Sequence, residues 1–210
     1  MARTILITGF GPFPGSPYNP TGPLVRQLAR GKRLGVKIVP HIFETSYAAV
    51  DRDLRKLIAK HKPDALLMFG LASRARIIRV ETRARNVLAR LPDAAGKTPR
   101  RTTIVTGKPA AMIMPVPAHL MLAAIRKTGV RARLSRDAGR YLCNYLCWRA
   151  AEAAAKKGGP RIAAFVHVPR VAEKPGKKPG KLSPGDLNRA GAAALSALIK
   201  ACHGSARKHP

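Results

Sequence analysis

Cys143 stands in the run Ser135-Arg-Asp-Ala-Gly-Arg-Tyr-Leu-Cys-Asn144, and His167 follows 24 positions later. A thiol and an imidazole are the parts of a nucleophile–base pair, provided the fold brings them together. The Ala138-Gly139 pair predicts a turn. The apolar stretch after it predicts a helix with Cys143 near its start. The unpaired N–H groups at such a terminus favour thiolate, so a lowered thiol pKa is expected. His167 closes the apolar run Ile162-Ala-Ala-Phe-Val-His, which predicts a buried strand. A lone cysteine and a lone histidine are more often core residues, so the weight falls on what surrounds them.

Glu81 ends another predicted strand, with Asn86 five residues on. Ten acidic residues face 40 basic ones in this chain, so an acid in an arginine-rich stretch is notable. It is either an ion-pair partner of Arg83 or Arg85 or the third member of a catalytic group. Gly9-Phe-Gly11 after the first strand invites a dinucleotide-binding reading, which fails. Pro12 and Pro14 have no N–H to give a phosphate, and the second strand ends Val39-Pro40 without an acid for a ribose. Phe10 and Phe13 are left in a loop at the C-terminal end of a strand, where open α/β sheets bind ligands. Cys143 and Cys147 are unaccompanied by a CxxC pair or a His-x-x-x-His, so no metal and no other cofactor is expected.

The elements that must position these residues alternate. Strands are expected at Ile5–Thr8, Val36–Val39, Ala65–Phe69, Ile77–Glu81 and Arg161–His167. Helices are expected at Leu24–Arg30, Tyr47–Lys60 with Ser46 as cap, Ala118–Lys127, Tyr141–Lys156 and from Ser183 to about Ala201. The order predicts a single three-layer α/β/α domain over residues 1–203 with a mixed, largely parallel sheet. Lys174–Lys181 reads as a surface loop and residues 204–210 as a frayed tail. Three cysteines are too few for a disulfide framework. No apolar run approaches the roughly 18 residues of a membrane span, and the N-terminus lacks a signal-peptide pattern, so a cytoplasmic location is expected. The net charge of +30 is spread along the chain, and aromatic residues are only 5%. Nucleic-acid contact is therefore expected to be at most non-specific.

The chain resembles the pyroglutamyl peptidase type I (pyrrolidone-carboxylate peptidase) family of cysteine peptidases over nearly its whole length. Ile5-Leu-Ile-Thr-Gly-Phe-Gly-Pro-Phe13 with Asn19-Pro20-Thr21 is similar to the family's opening strand and substrate loop. Pro63-Asp64 and the strand up to Gly70 match in order and spacing. Glu81, Ala84 and Asn86 fall on the glutamate motif, and Arg90-Leu-Pro-Asp93 on the segment after it. Asp137–Asn144 matches the cysteine motif, which is the most specific, and Phe165-Val-His-Val-Pro169 the histidine motif. The resemblance implies Cys143 as nucleophile, His167 as base and then acid, Glu81 as its orienting partner, and Arg90 near the oxyanion. It implies Phe10, Phe13 and Asn19 around a pyroglutamyl ring, no metal, peptides with N-terminal pyroglutamate as substrates, and homo-oligomers, the last opposed by the high charge.

Departures cluster in one place. Ser73-Arg74-Ala75 replaces two glycines and an arginine. Arg79-Val80 precedes the glutamate where a hydroxyl residue is common, Thr82 follows it in place of a basic residue, and Arg140 replaces a small hydroxyl residue. Residues 97–114 also match poorly. These changes bear on substrate identity more than on reaction class, and the added arginines favour acidic residues after the scissile bond. Two other readings stay open: a diverged cysteine amidohydrolase acting on another small acyl group, and a basic polyanion-binding protein with a vestigial triad.

Overall fold

The computed structural model describes residues 2–13, 15–31, 33–171 and 182–204; the expected Lys174–Lys181 loop and the tail beyond Gly204 lie outside them. Six strands, β1 (Arg3–Phe10), β2 (Val36–Phe43), β3 (Ala65–Leu71), β4 (Ile78–Glu81), β7 (Ala132–Ser135) and β8 (Ile162–Val168), form one sheet in the order β2-β1-β3-β8-β4-β7. The short strands β5 (Arg83–Arg85) and β6 (Ala111–Ile113) pair antiparallel as a separate ribbon. Among the described residues, only the β4–β8 contact in the large sheet is antiparallel.

Alternation along the buried strands sorts the core into two halves. Leu67, Phe69, Ala164 and Val166 face one way, against α1 (Thr21–Arg30), α3 (Ala118–Arg126) and α5 (Pro184–Gly204). Leu66, Met68, Ala163 and Phe165 face the other, against α2 (Tyr47–His61) and α4 (Leu142–Ala154). Two helix starts carry the expected caps. Ser46 Oγ accepts from Ala49 N at 3.2 Å. Ser183 Oγ accepts from Asp186 N at 3.0 Å while Asp186 Oδ2 accepts from Ser183 N at 3.0 Å, a reciprocal box.

Three expectations need correction. β2 runs through Pro40 to Phe43 because it is an edge strand, where a missing N–H costs no ladder bond. β3 continues past Gly70 to Leu71. The strands β5, β6 and β7 were not anticipated; each has three or four residues, too few to show a period. Among the described residues no helix is long and apolar enough to cross a membrane.

Candidate active site

Register builds the site. Directly paired residues on neighbouring strands share a sheet face. Pairing aligns Gly70 of β3 with His167 of β8, His167 with Arg79 of β4, and Arg79 with Arg133 of β7. The next row on that face is Met68, Phe165, Glu81 and Ser135. Glu81 and His167 are thus diagonal neighbours on the side that α4 covers. His167 Nδ1 lies 2.8 Å from Glu81 Oε1, and both side chains are buried. Arg79 Nε stands 3.5 Å from the same Oε1, and the Phe165 ring packs edge-on to the imidazole with centroids 4.9 Å apart.

Cys143 reaches this row from above. It is the second residue of α4, whose N-cap Tyr141 gives no side-chain cap, and a helix start leaves backbone N–H groups without intrahelical partners. Gly70 makes the room. A Cβ at Gly70 would lie 2.7 Å from Cys143 Sγ and 2.6 Å from Phe165 Cζ. Gly70→Ala is therefore expected to displace the thiol and cut turnover by at least about a hundredfold, with about 1–3 kcal/mol of overpacking strain. Steady-state rates with a melting curve check this; unchanged turnover in a folded variant would remove the steric account.

Asn144, next to Cys143, fixes α4 to the segment after Glu81. Its side chain accepts from Arg85 N at 2.9 Å and donates to Arg85 O at 2.8 Å and Val87 O at 3.1 Å. Cys143 and His167 open together onto a cleft of about 760 Å³ that Phe13 also lines.

The electrostatics differ from the expectation of an activated thiol. Burial pushes the Cys143 thiol up to about 12; the Glu81 charge adds to the rise, and Arg79 and the residue's own N–H oppose it. Desolvation outweighs the helix terminus because the sulfur sits against Gly70 and Cys143 packs on the core cluster that holds Phe165. Burial also holds His167 below its ordinary value, with the Glu81 contact working the other way. Both shifts favour the uncharged forms, thiol and imidazole.

Of the three expected substrate-binding side chains, only Phe13 lines the cleft. It is half-buried and held by a tight turn, with Phe13 N and Ser16 O 3.2 Å apart and Ser16 N and Phe13 O 2.8 Å apart. Phe10 is a core residue, packed on Phe43 at 5.8 Å between ring centroids, and its N–H and C=O both bond Thr21 Oγ1. Asn19 is buried and spends its amide inside the loop, donating to Gly11 O at 3.0 Å and accepting from Thr21 N at 3.1 Å and Thr21 Oγ1 at 2.8 Å. Gly9 serves this packing too: a Cβ there would meet Thr21 O at 2.8 Å.

Arg90 is exposed and is not among the residues lining the cleft. In its segment the buried group is Asp93, whose carboxylate accepts from Tyr47 N at 3.1 Å, Ala95 N at 3.0 Å and Lys97 N at 2.9 Å. Residues the sequence did not single out as functional are Gly70, Arg76, Arg131 and Arg133. For Gly70 the available signal was a glycine ending a wholly apolar strand run.

Residues 3–203 match the pyroglutamyl peptidase family. The chain belongs to that family. It is 33% identical to the pyrrolidone-carboxylate peptidase of Pyrococcus furiosus, over 84% of this chain and 86% of that protein. It is 36% identical to the pyrrolidone-carboxylate peptidase of Pseudomonas fluorescens, over 81% of this chain and 80% of that one. The structure of pyrrolidone carboxyl peptidase from Thermococcus litoralis superposes with a TM-score of 0.88 at 26% identity, covering 97% of this chain and 96% of the other. The six-stranded mixed sheet flanked by helices is thus the architecture of pyroglutamyl peptidases.

Proposed function

We propose that this chain is a cysteine peptidase that removes an N-terminal pyroglutamyl residue from peptides, with Cys143, His167 and Glu81 as its working groups. One observation supports the assignment of roles above the others: the buried 2.8 Å pair of Glu81 and His167 stands in the sheet row whose gap at Gly70 admits the Cys143 sulfur. The family match over residues 3–203 supports one peptidase domain across residues 1–203.

The chemistry follows from a neutral resting pair. The thiol proton passes to His167 as Sγ attacks the amide carbonyl, so charge separation occurs only when the developing imidazolium can be held by Glu81. The tetrahedral oxyanion faces the N–H groups at the start of α4, fixed dipoles that need no reorganisation. His167 then returns the proton to the leaving amine and the C–N bond breaks. Water, deprotonated by His167, attacks the thioester; the C–S bond breaks, His167 returns that proton to Sγ and pyroglutamate leaves. Arg90, exposed and outside the cleft lining, has only its place in the motif to support an oxyanion role.

Phe13 is the one aromatic of the opening loop in the cleft, and a flat ring face suits a small lactam. Phe10 and Asn19 hold the loop that carries it. Phe13→Ala is expected to raise KM for a chromogenic pyroglutamyl amide about tenfold or more, within the 1–3 kcal/mol that a lost pocket contact costs, with a smaller change in kcat. The decisive assay is release of the chromophore with and without prior thiol alkylation. A folded, thiol-reactive protein that cleaves no pyroglutamyl amide but cleaves another acyl amide would establish the diverged hydrolase instead.

A further inference from the structure

Six arginines, Arg74, Arg76, Arg79, Arg131, Arg133 and Arg140, line the same cleft as Cys143 and His167. They are distant in sequence, and the sheet's single reversal gathers them. β4 and β7 run opposite to β8, so their first residues stand at the end of the sheet where β1, β3 and β8 finish. Arg79 and Arg133 continue the row of Gly70 and His167. Arg74 and Arg76 come from the β3–β4 connection and Arg140 from the turn before α4.

All but Arg79 are exposed, and among the described residues those five side chains have no ion pair and no hydrogen bond. The acids nearby are already engaged: Glu81 with His167 and Arg79, and Asp137 with Arg85 at 3.3 Å and Gly139 N at 2.9 Å. Crowded like charges without counterions cost free energy that an anionic ligand relieves.

We infer that this cleft selects pyroglutamyl peptides whose first residues after the scissile bond are acidic; the inference rests on the reading of the site given above. The room decides between a peptide and a polynucleotide. About 760 Å³ suits a few residues, and the six arginines line that one cleft, whereas a polynucleotide needs an extended basic groove. Planar carboxylates also match the guanidinium fork.

The test uses C-terminally amidated pyroglutamyl-Asp, pyroglutamyl-Asn and pyroglutamyl-Lys, so that no terminal carboxylate competes. At low salt the ratio of kcat/KM for the Asp peptide over the Lys peptide should be about tenfold or more, several partly screened pairs each contributing modestly. It should fall towards unity near 1 M salt, where the Debye length is about 3 Å. Arg133→Gln with Arg140→Gln should lower the ratio at low salt to near its high-salt value. A ratio near one, reversed or insensitive to salt overturns the inference while leaving the peptidase reading intact.

A second measurement needs no turnover. Anionic iodoacetate should alkylate Cys143 faster relative to neutral iodoacetamide than it alkylates free cysteine, and salt and the double variant should erase that advantage. If no pyroglutamyl peptide is cleaved, the peptidase reading fails, and with it the substrate class; the alkylation ratio then still reports whether the cleft draws anions. Protection of Cys143 by a short single-stranded oligonucleotide at lower concentration than by an acidic tripeptide would overturn the peptide in favour of a polyanion.

Discussion

Cys143→Ala is expected to lower kcat at least about 10⁴-fold, the scale seen when the nucleophile of such a group is removed, with an unchanged melting curve. The thiol opens onto the cleft, whereas Cys147 and Cys202 are 0% and 1% exposed. Limited iodoacetamide treatment should therefore modify Cys143 first, and loss of activity should track that modification by mass spectrometry. Activity above a few per cent in the Ala variant would exclude the proposed chemistry. Burial pushes the thiol up to about 12, so labelling should be slow at neutral pH and should slow further in His167→Ala, which lacks the base. A thiolate already formed by the helix terminus alone would label at the same rate in both.

His167→Ala should cost about 10²–10⁴-fold in kcat, the usual range for a general acid–base group, and Glu81→Gln up to about 10⁴-fold, the scale for the third member of a triad. Their pH profiles separate chemistry from packing. The charged groups acting on His167 are Glu81 and Arg79 on β4 and Asp137 in the turn before α4, and Cys143 of α4 lines the same cleft. Burial lowers its pKa, the Glu81 contact raises it, Arg79 lowers it and Asp137 raises it. Only the neutral imidazole can accept the thiol proton. kcat/KM should therefore rise with pH through a value below 6.5 and then stay level into the alkaline range. Removing the Glu81 charge removes the main opposing influence, so the acid limb of Glu81→Gln should move to lower pH as the rate falls. A lowered rate with an unmoved limb would leave Glu81 a packing residue. An unfolded His167→Ala protein would be read through His167→Gln, which retains bulk and a polar edge; a near wild-type rate there would remove His167 from the chemistry.

Much of the fold was legible along the chain because long buried elements carry their own periodicity. The all-buried runs of β3 and β8, the Ser46 cap and the Ser183–Asp186 box placed strands and helices within a few residues. The order and spacing of the glutamate, cysteine and histidine motifs likewise pointed to Glu81, Cys143 and His167. Motifs are local, however, and do not say which way a side chain turns. Phe10 and Asn19 fall in the expected loop, yet one packs into the core and the other binds its own backbone, because buried loop groups must be satisfied before a ligand is met.

By itself the sequence determined the α/β elements and the family, and it pointed to Glu81, Cys143 and His167 as the proposed working residues, all from patterns within single segments. Tertiary structure alone decided three things. The thiol is raised, not lowered, because its burial depends on strands β3 and β8, which bring Gly70 and the Phe165 cluster beneath α4. Glu81 reaches His167 because β4 lies antiparallel to β8 in that register. Six of the 40 basic residues, scattered along the chain, meet at one cleft because the same reversal brings the starts of β4 and β7 to the end of the sheet that carries His167.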